Sequence, residues 1–179
     1  QQALIEGADI FITQLEQPMD AAMAALRIAN AGKPVTILNP APAAELPDGM
    51  LALCDYVTPN ETEAEGITGI KVTSVDDARR AADVILSQGA GAAIITLGEN
   101  GALYHTAKDS VHIGAMNAGP VVETTGAGDA FHGGFATALS EGMSPVDAVR
   151  MGCATAASSV TRPGTAPSMP TRAEIDALL

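Results

Sequence analysis

The chain has no tryptophan and few other aromatic residues, two Tyr and three Phe in 179 positions. Its core therefore has to be built from Ala, Val, Ile, Leu and Met, and a hydrophobic share of 47% is enough for it to fold. Positive charge is scarce as well. Nine Lys and Arg stand against 21 Asp and Glu, for a net charge of −12. The nine are scattered and form no basic patch of the kind that holds nucleic acid, so no nucleic-acid partner is expected. An anionic ligand gains nothing from such an overall field and needs local amide dipoles and a metal ion.

Cys54 and Cys153 lie far apart without metal-ligand spacing, so a reduced, cytoplasmic setting is the simpler expectation. No apolar run reaches about 18 residues, no membrane-spanning helix is expected, and no signal peptide is visible. Neither a Gly-x-x-x-x-Gly-Lys-[Ser/Thr] loop nor a Gly-x-Gly-x-x-Gly string occurs, which argues against a P-loop ATPase and a Rossmann dehydrogenase. Gln1 stands where an initiator Met would, and a strand pattern follows almost at once. The expectation is a chain that begins inside a larger protein.

Strand and helix patterns alternate along the chain. Ile10–Leu15 reads as a strand and Pro18–Ala31 as an alanine-rich helix with Pro18 in its first turn. Val35–Leu38 is a buried strand closed by Asn39-Pro40-Ala41-Pro42. After a possible short helix, Tyr56–Thr58 is extended, and Glu61–Thr68 forms a short helix stopped at Gly69. Ser74–Gln88 is a helix with Ser74 and Asp77 as a capping box and Gly89 at its far end. Ala92–Leu97, Ala102–His105 and Val111–Ala115 read as strands. Gly128–Glu141, Pro145–Val160 and Thr171–Leu179 read as helices, and Arg162–Pro170 as a loop. Strands separated by helices of this length predict one α/β domain over residues 1–179, with a mostly parallel sheet flanked by helices. Ligands gather beyond the carboxyl ends of such strands, where the polar and glycine-rich clusters fall.

The most informative stretch is Glu123-Thr124-Thr125-Gly126-Ala127-Gly128-Asp129-Ala130-Phe131-His132-Gly133-Gly134. Phe131, Phe135, Ala138 and Leu139 repeat at helical spacing, which puts Gly128-Asp129 in a helix's first turn. Free amides at a helix start attract anions, and glycine lets a phosphate come close. A carboxylate in the same turn is a poor anion holder, but it fits a site where it handles a proton while the amides hold a phosphoryl group. By themselves, Gly-x-Gly-Asp residues before a helix are as often only a turn.

The longer string, Thr-Gly-Ala-Gly-Asp-x-Phe-x-Gly-Gly, resembles the C-terminal signature of the ribokinase/PfkB carbohydrate kinase family, and the resemblance covers essentially the whole chain. It implies a ribokinase-like three-layer α/β/α fold and transfer of the ATP γ-phosphoryl group to a sugar hydroxyl. On the resemblance, Asp129 is the base and the amides of Gly126, Ala127 and Gly128 hold the transferring group. The dipole of the helix stabilises the Asp129 charge, which suits a loose transition state that asks little early proton removal.

Other strings carry a plain reading beside the implied one. Asn60 and the acids after it suit a helix cap. The resemblance makes Asn-x-x-Glu a magnesium motif, with Glu63 acting through water and Asn60 near the nucleotide phosphates. Thr96-Leu97-Gly98-Glu99-Asn100-Gly101 is a hairpin turn on composition. By resemblance Thr96, Gly98 and Gly101 line the nucleotide. Glu16 is a first-turn acid or, by resemblance, a sugar contact, and with Asn39-Pro40-Ala41-Pro42 it points to D-ribose as acceptor. The carbonyls of Thr125, Ser159, Arg162 and Gly164, together with Ser168, are implied to wrap potassium. Glu123 stands where the family usually has Asp, which puts that cation site in doubt. His105 and His112 are surface-strand positions, and His132 is a variable helix position rather than a base.

The family also carries an N-terminal portion with further strands, a β lid and more sugar contacts, and these are missing here. The resemblance implies a homodimer for the fuller protein. Besides the sugar kinase, two readings stay open at this point: a non-catalytic nucleotide- or partner-binding module, and a kinase of the same family acting on another sugar or a nucleoside.

Overall fold

The computed structural model describes all 179 residues, and the chain divides into two compact units. The first comprises Gln1–Leu97 and Leu103–His112; the second comprises Gly98–Ala102 and Ile113–Leu179.

All but the terminal residues Ala102 and Ile113 of a six-stranded sheet fall in the first unit, in chain order β1 (Ile10–Thr13), β2 (Val35–Leu38), β3 (Tyr56–Val57), β4 (Ala92–Thr96), β5 (Ala102–His105) and β6 (Ser110–Ile113). β1 to β4 pair in parallel, with Ile10 opposite Val35, Leu38 opposite Val57 and Val57 opposite Ala93. The last two strands are joined by a four-residue connection closed by Thr106 N–H to the Asp109 carbonyl at 2.8 Å, which is too short for a parallel crossover. The sheet is thus mixed, with its parallel part over β1–β4.

Four helices belong to this unit: α1 (Gln2–Glu6), α2 (Met19–Asn30), α3 (Glu61–Thr68) and α4 (Val75–Ser87). α2 buries Ala22, Leu26 and Ala29, four and three residues apart, and packs on β1 and β2. α4 buries Ala78, Ala81, Ala82 and Ile85 at helical spacing and packs on β4. Small alanines let these helices lie close to a sheet whose own contribution is Leu38, Val57, Ile95 and Leu103. Each large aliphatic removed from water contributes roughly 1.5–3 kcal/mol, so aliphatics alone can carry this core.

The second unit contains α5 (Ala127–Ser140), α6 (Pro145–Ser159) and α7 (Arg172–Asp176). α5 and α6 pack against each other through small residues. A β-carbon added at Gly134 would sit 2.3 Å from the Thr155 hydroxyl oxygen, and one at Gly152 would sit 2.8 Å from the Phe131 ring. Each glycine thus makes room for a side chain of the other helix, Thr155 against Gly134 and Phe131 against Gly152.

Four expectations need correction. The first strand ends at Thr13 rather than Leu15, because the Gln17 side chain turns back onto the Thr13 hydroxyl and the Leu15 N–H donates to the Ala41 carbonyl. The expected strand Val111–Ala115 is Ser110–Ile113, one residue earlier at its start. The terminal helix holds only Arg172–Asp176. Ser74 does accept from the Asp77 N–H, but Asp77 does not complete the box. Its carboxylate accepts from the Thr73 N–H and hydroxyl, at 3.1 and 2.8 Å.

Candidate active site

In the first unit, the carboxyl ends of the parallel strands are stitched into one edge. Asn39 N–H donates to the Thr13 carbonyl, Thr58 N–H to Leu38, and Thr96 N–H to Pro59. Asn60 and Thr96 form a further parallel bridge. This places Asn60, at the start of α3, beside Thr96, at the end of β4. The exposed Glu16 follows the end of β1, and the buried Asn39 follows β2.

Asn60 and Glu63 close a full capping box. The Asn60 N–H and side-chain amide both donate to the Glu63 carboxylate at 2.9 Å, and the Glu63 N–H donates back to Asn60 Oδ1. Glu63 is the one buried carboxylate of the chain, at 8% exposure. Burial pushes its carboxyl above the ordinary value, and the two Asn60 hydrogen bonds pull the other way. Two of its roughly four lone-pair positions are taken, so it can still accept from water. No three or more His, Cys, Asp or Glu side chains gather anywhere as a metal cage. A single half-engaged carboxylate suits a hard cation that keeps most of its water, which is how magnesium binds; the residues present therefore fit magnesium through Glu63.

In the second unit, Gly98 opens a 3₁₀ turn, Gly98–Asn100, closed by the Gly101 N–H onto the Gly98 carbonyl at 3.1 Å. Gly101 has φ +89, and a β-carbon there would lie 2.0 Å from the Ile113 carbonyl oxygen. Backbone packing alone therefore demands this glycine.

The start of α5 is the most unusual feature of that unit. Gly126 is its N-cap, with φ +81, and no side chain caps the helix. A β-carbon at Gly126 would crowd Thr165 at 3.1 Å, whereas one at Gly128 would meet nothing within 4 Å. The Ala127 N–H is engaged by the Thr124 carbonyl at 3.1 Å. The amides of Gly126 and Gly128 face no acceptor of the protein, and the exposed Asp129 sits in the same first turn. His132 lies on the helix, as expected, and is buried there. Its Nδ1 donates to the Gly128 carbonyl at 2.6 Å, and its ring meets Phe131 edge-on.

The loop behind this turn is held by Glu123, whose carboxylate accepts from the Gly164 N–H at 2.8 Å. That bond, and then the Thr125 side chain, hold the Glu123 carboxyl below its usual range. The Ser168 hydroxyl donates to the Thr165 carbonyl and the Ser159 hydroxyl to Ala156. Arg162 pairs with Glu174 at 2.6 Å.

Residues 2–172 match the profile of the pfkB family of carbohydrate kinases. The chain belongs to this family. Among proteins of known function, it is 42% identical over 173 residues to the ribokinase of Haemophilus influenzae, covering 97% of this chain and 56% of that protein. It is 39% identical to the ribokinase of Staphylococcus aureus over 96% of this chain and 57% of that one. Among solved structures, the Arabidopsis thaliana ribokinase complexed with ribose and ATP superposes with a TM-score of 0.95 at 27% identity, covering 99% of this chain and 57% of that chain. The chain thus spans little more than half the length of the relatives it matches.

As a pfkB-family member, the chain has the expected α/β fold, with a mixed sheet flanked by helices. Sequence reasoning missed the contact of His132 with the Gly128 carbonyl in the first turn of α5. Its spacing four residues after Gly128 was the available signal, since side chains reach one turn back along a helix. Cys54 and Cys153 are free and buried, and burial pushes their thiols up to about 12 and about 11. Neither is suited to act as a nucleophile.

Proposed function

We propose that residues 1–179 act as one nucleotide-binding α/β domain of an ATP-dependent sugar kinase whose acceptor is D-ribose. The single observation that carries this is the start of α5, where an uncapped helix turn offers the Gly126 and Gly128 amides beside the exposed Asp129. In this reading Asp129 takes the proton of the attacking hydroxyl and orients that hydroxyl in line with the γ-phosphoryl group. The amides of Gly126 and Gly128 stabilise charge on the transferring group, and Ala127 joins them when its turn bond to Thr124 opens. Asn60, Thr96, Gly98 and Gly101 line the nucleotide, and Glu16 contacts the sugar. Magnesium, when bound, neutralises phosphate charge, and Glu63 orients its water. The carbonyls of Thr125, Ser159, Arg162 and Gly164 and the Ser168 hydroxyl are the oxygens a monovalent cation would use.

The reading is supported by family membership and by ribokinases at 42% and 39% identity. The Salmonella typhi deoxyribokinase, at 36% identity, makes 2-deoxy-D-ribose the acceptor to compare. A homodimer in the cytoplasm belongs to the same proposal. No helix is long and apolar enough to cross a membrane.

The test is acceptor-dependent ADP release with magnesium, run on the chain and on Asp129→Asn, alongside calorimetric binding of magnesium-ADP. Release that needs D-ribose and is lost in the variant supports the kinase. Nucleotide binding without release under any acceptor would favour a non-catalytic binding module, and absence of both would sink the proposal.

A further inference from the structure

We propose that Glu123 is a positioning residue whose carboxylate, by accepting from the Gly164 N–H, ties the 161–165 loop to the turn that opens α5 and makes this tie independent of a bound monovalent cation. The inference rests on the reading of the α5 start as the anion-binding turn.

Glu123 and Gly164 are 41 residues apart, yet meet at 2.8 Å. A second tie runs alongside, where the N–H groups of Val122 and Glu123 both donate to the Val160 carbonyl, at 2.8 and 3.2 Å. The next loop residue, Thr165, is the one that lies against Gly126, with its methyl 3.1 Å from where a β-carbon would stand. The position of the loop therefore sets the room around the glycine whose amide opens the turn. At its far end the loop is held by a second carboxylate, Glu174, which pairs with Arg162 and caps α7 from Thr171. The 161–171 segment is thus held at both ends by side chains of its own unit.

The donors that make the tie belong to the chain itself. The Glu123 carboxylate is engaged by the Gly164 N–H and the Thr125 side chain. The tie is a direct N–H···O bond, which needs no ion to bridge it. A strut needs only an acceptor atom at the right place, and a neutral amide oxygen supplies one.

This is testable on the full chain. Amide exchange at Gly164 and the melting midpoint are measured in potassium chloride and in tetramethylammonium chloride at equal ionic strength. The wild type should show Gly164 exchange equal within about twofold in the two salts and an unchanged midpoint. Glu123→Ala should speed Gly164 exchange by at least about tenfold. It should also weaken magnesium-ADP binding by about threefold or more at a temperature where the variant remains folded. Glu123→Gln, which keeps an acceptor oxygen without the charge, should restore most of both. Potassium slowing wild-type Gly164 exchange about tenfold would overturn the proposal, as would a Gln variant as impaired as Ala. If Glu123→Ala does not fold, the wild-type salt comparison still decides. Failure of the wild type to bind magnesium-ADP would sink the nucleotide-site reading alone, because the exchange arms report on the strut without any ligand.

Discussion

Asn60 and Glu63 hold each other in both directions: two donors of Asn60 meet the Glu63 carboxylate and the Glu63 N–H returns to Asn60 Oδ1, all at 2.9 Å. The pair is at once a helix cap and the proposed anchor of metal-bound water. Its two roles separate on substitution. Glu63→Gln keeps an acceptor for the Asn60 N–H and loses one side-chain bond, a cost of about 1 kcal/mol that relief of a buried charge offsets. Chemical denaturation should therefore show little change, while the magnesium concentration needed for nucleotide binding should rise severalfold. An unchanged magnesium requirement would reduce Glu63 to a cap.

The same residue predicts a pH dependence. The folded-state value of Glu63 is raised, mainly by burial. The folded chain then binds the proton more tightly than the unfolded one. The contribution of Glu63 to stability is greatest at low pH and is lost as pH rises from the ordinary carboxylate value through the raised one. The melting midpoint of Glu63→Gln relative to wild type should accordingly climb as pH rises above the ordinary carboxylate value of about 4. A difference that falls over this range would contradict the assignment.

Gly128 separates steric room from helix stability. A β-carbon there meets nothing of the protein, and its φ is not positive. Gly128→Ala should raise stability by up to about 1 kcal/mol, as alanine does in a helix. If phosphate approaches this amide, the added methyl should weaken nucleotide binding by about tenfold or more. Equal affinity would move the phosphate away from Gly128.

The adjacent glycines of the signature should respond in opposite directions. Gly133 is exposed with open space around it, so Gly133→Ala should stabilise by about 0.8–1 kcal/mol. Gly134 faces Thr155, and Gly134→Ala should destabilise by about 1–3 kcal/mol by forcing α5 from α6. Urea denaturation of the two variants checks this, and like signs would mean that the helix contact is soft.

Asp129→Asn keeps size and loses the proton acceptor. Turnover should fall by about 10²–10⁴-fold, the usual worth of a general base, with nucleotide affinity nearly unchanged. Retained turnover in a ribose-dependent assay would remove Asp129 from the chemistry.

Features set by neighbours a few residues apart were legible in the amino-acid order. The core face of α4 follows from Ala78, Ala81, Ala82 and Ile85, and its start from Ser74. The stop of α3 follows from Gly69 in the left-handed conformation, and the place of Gly128-Asp129 in the first turn of α5 from the spacing of Phe131, Phe135 and Ala138. Each depends on periodicity, a cap or a backbone angle, all of which act within one or two turns. Tertiary packing decided what lies beyond that reach. It turned the Leu15 N–H onto the Ala41 carbonyl beyond the end of β1, buried His132 on α5 and required a bare Gly134 against Thr155. It also brought Glu123 to Gly164 across 41 residues, a pairing that no local spacing encodes because only the packed helices bring the two loops within hydrogen-bond distance.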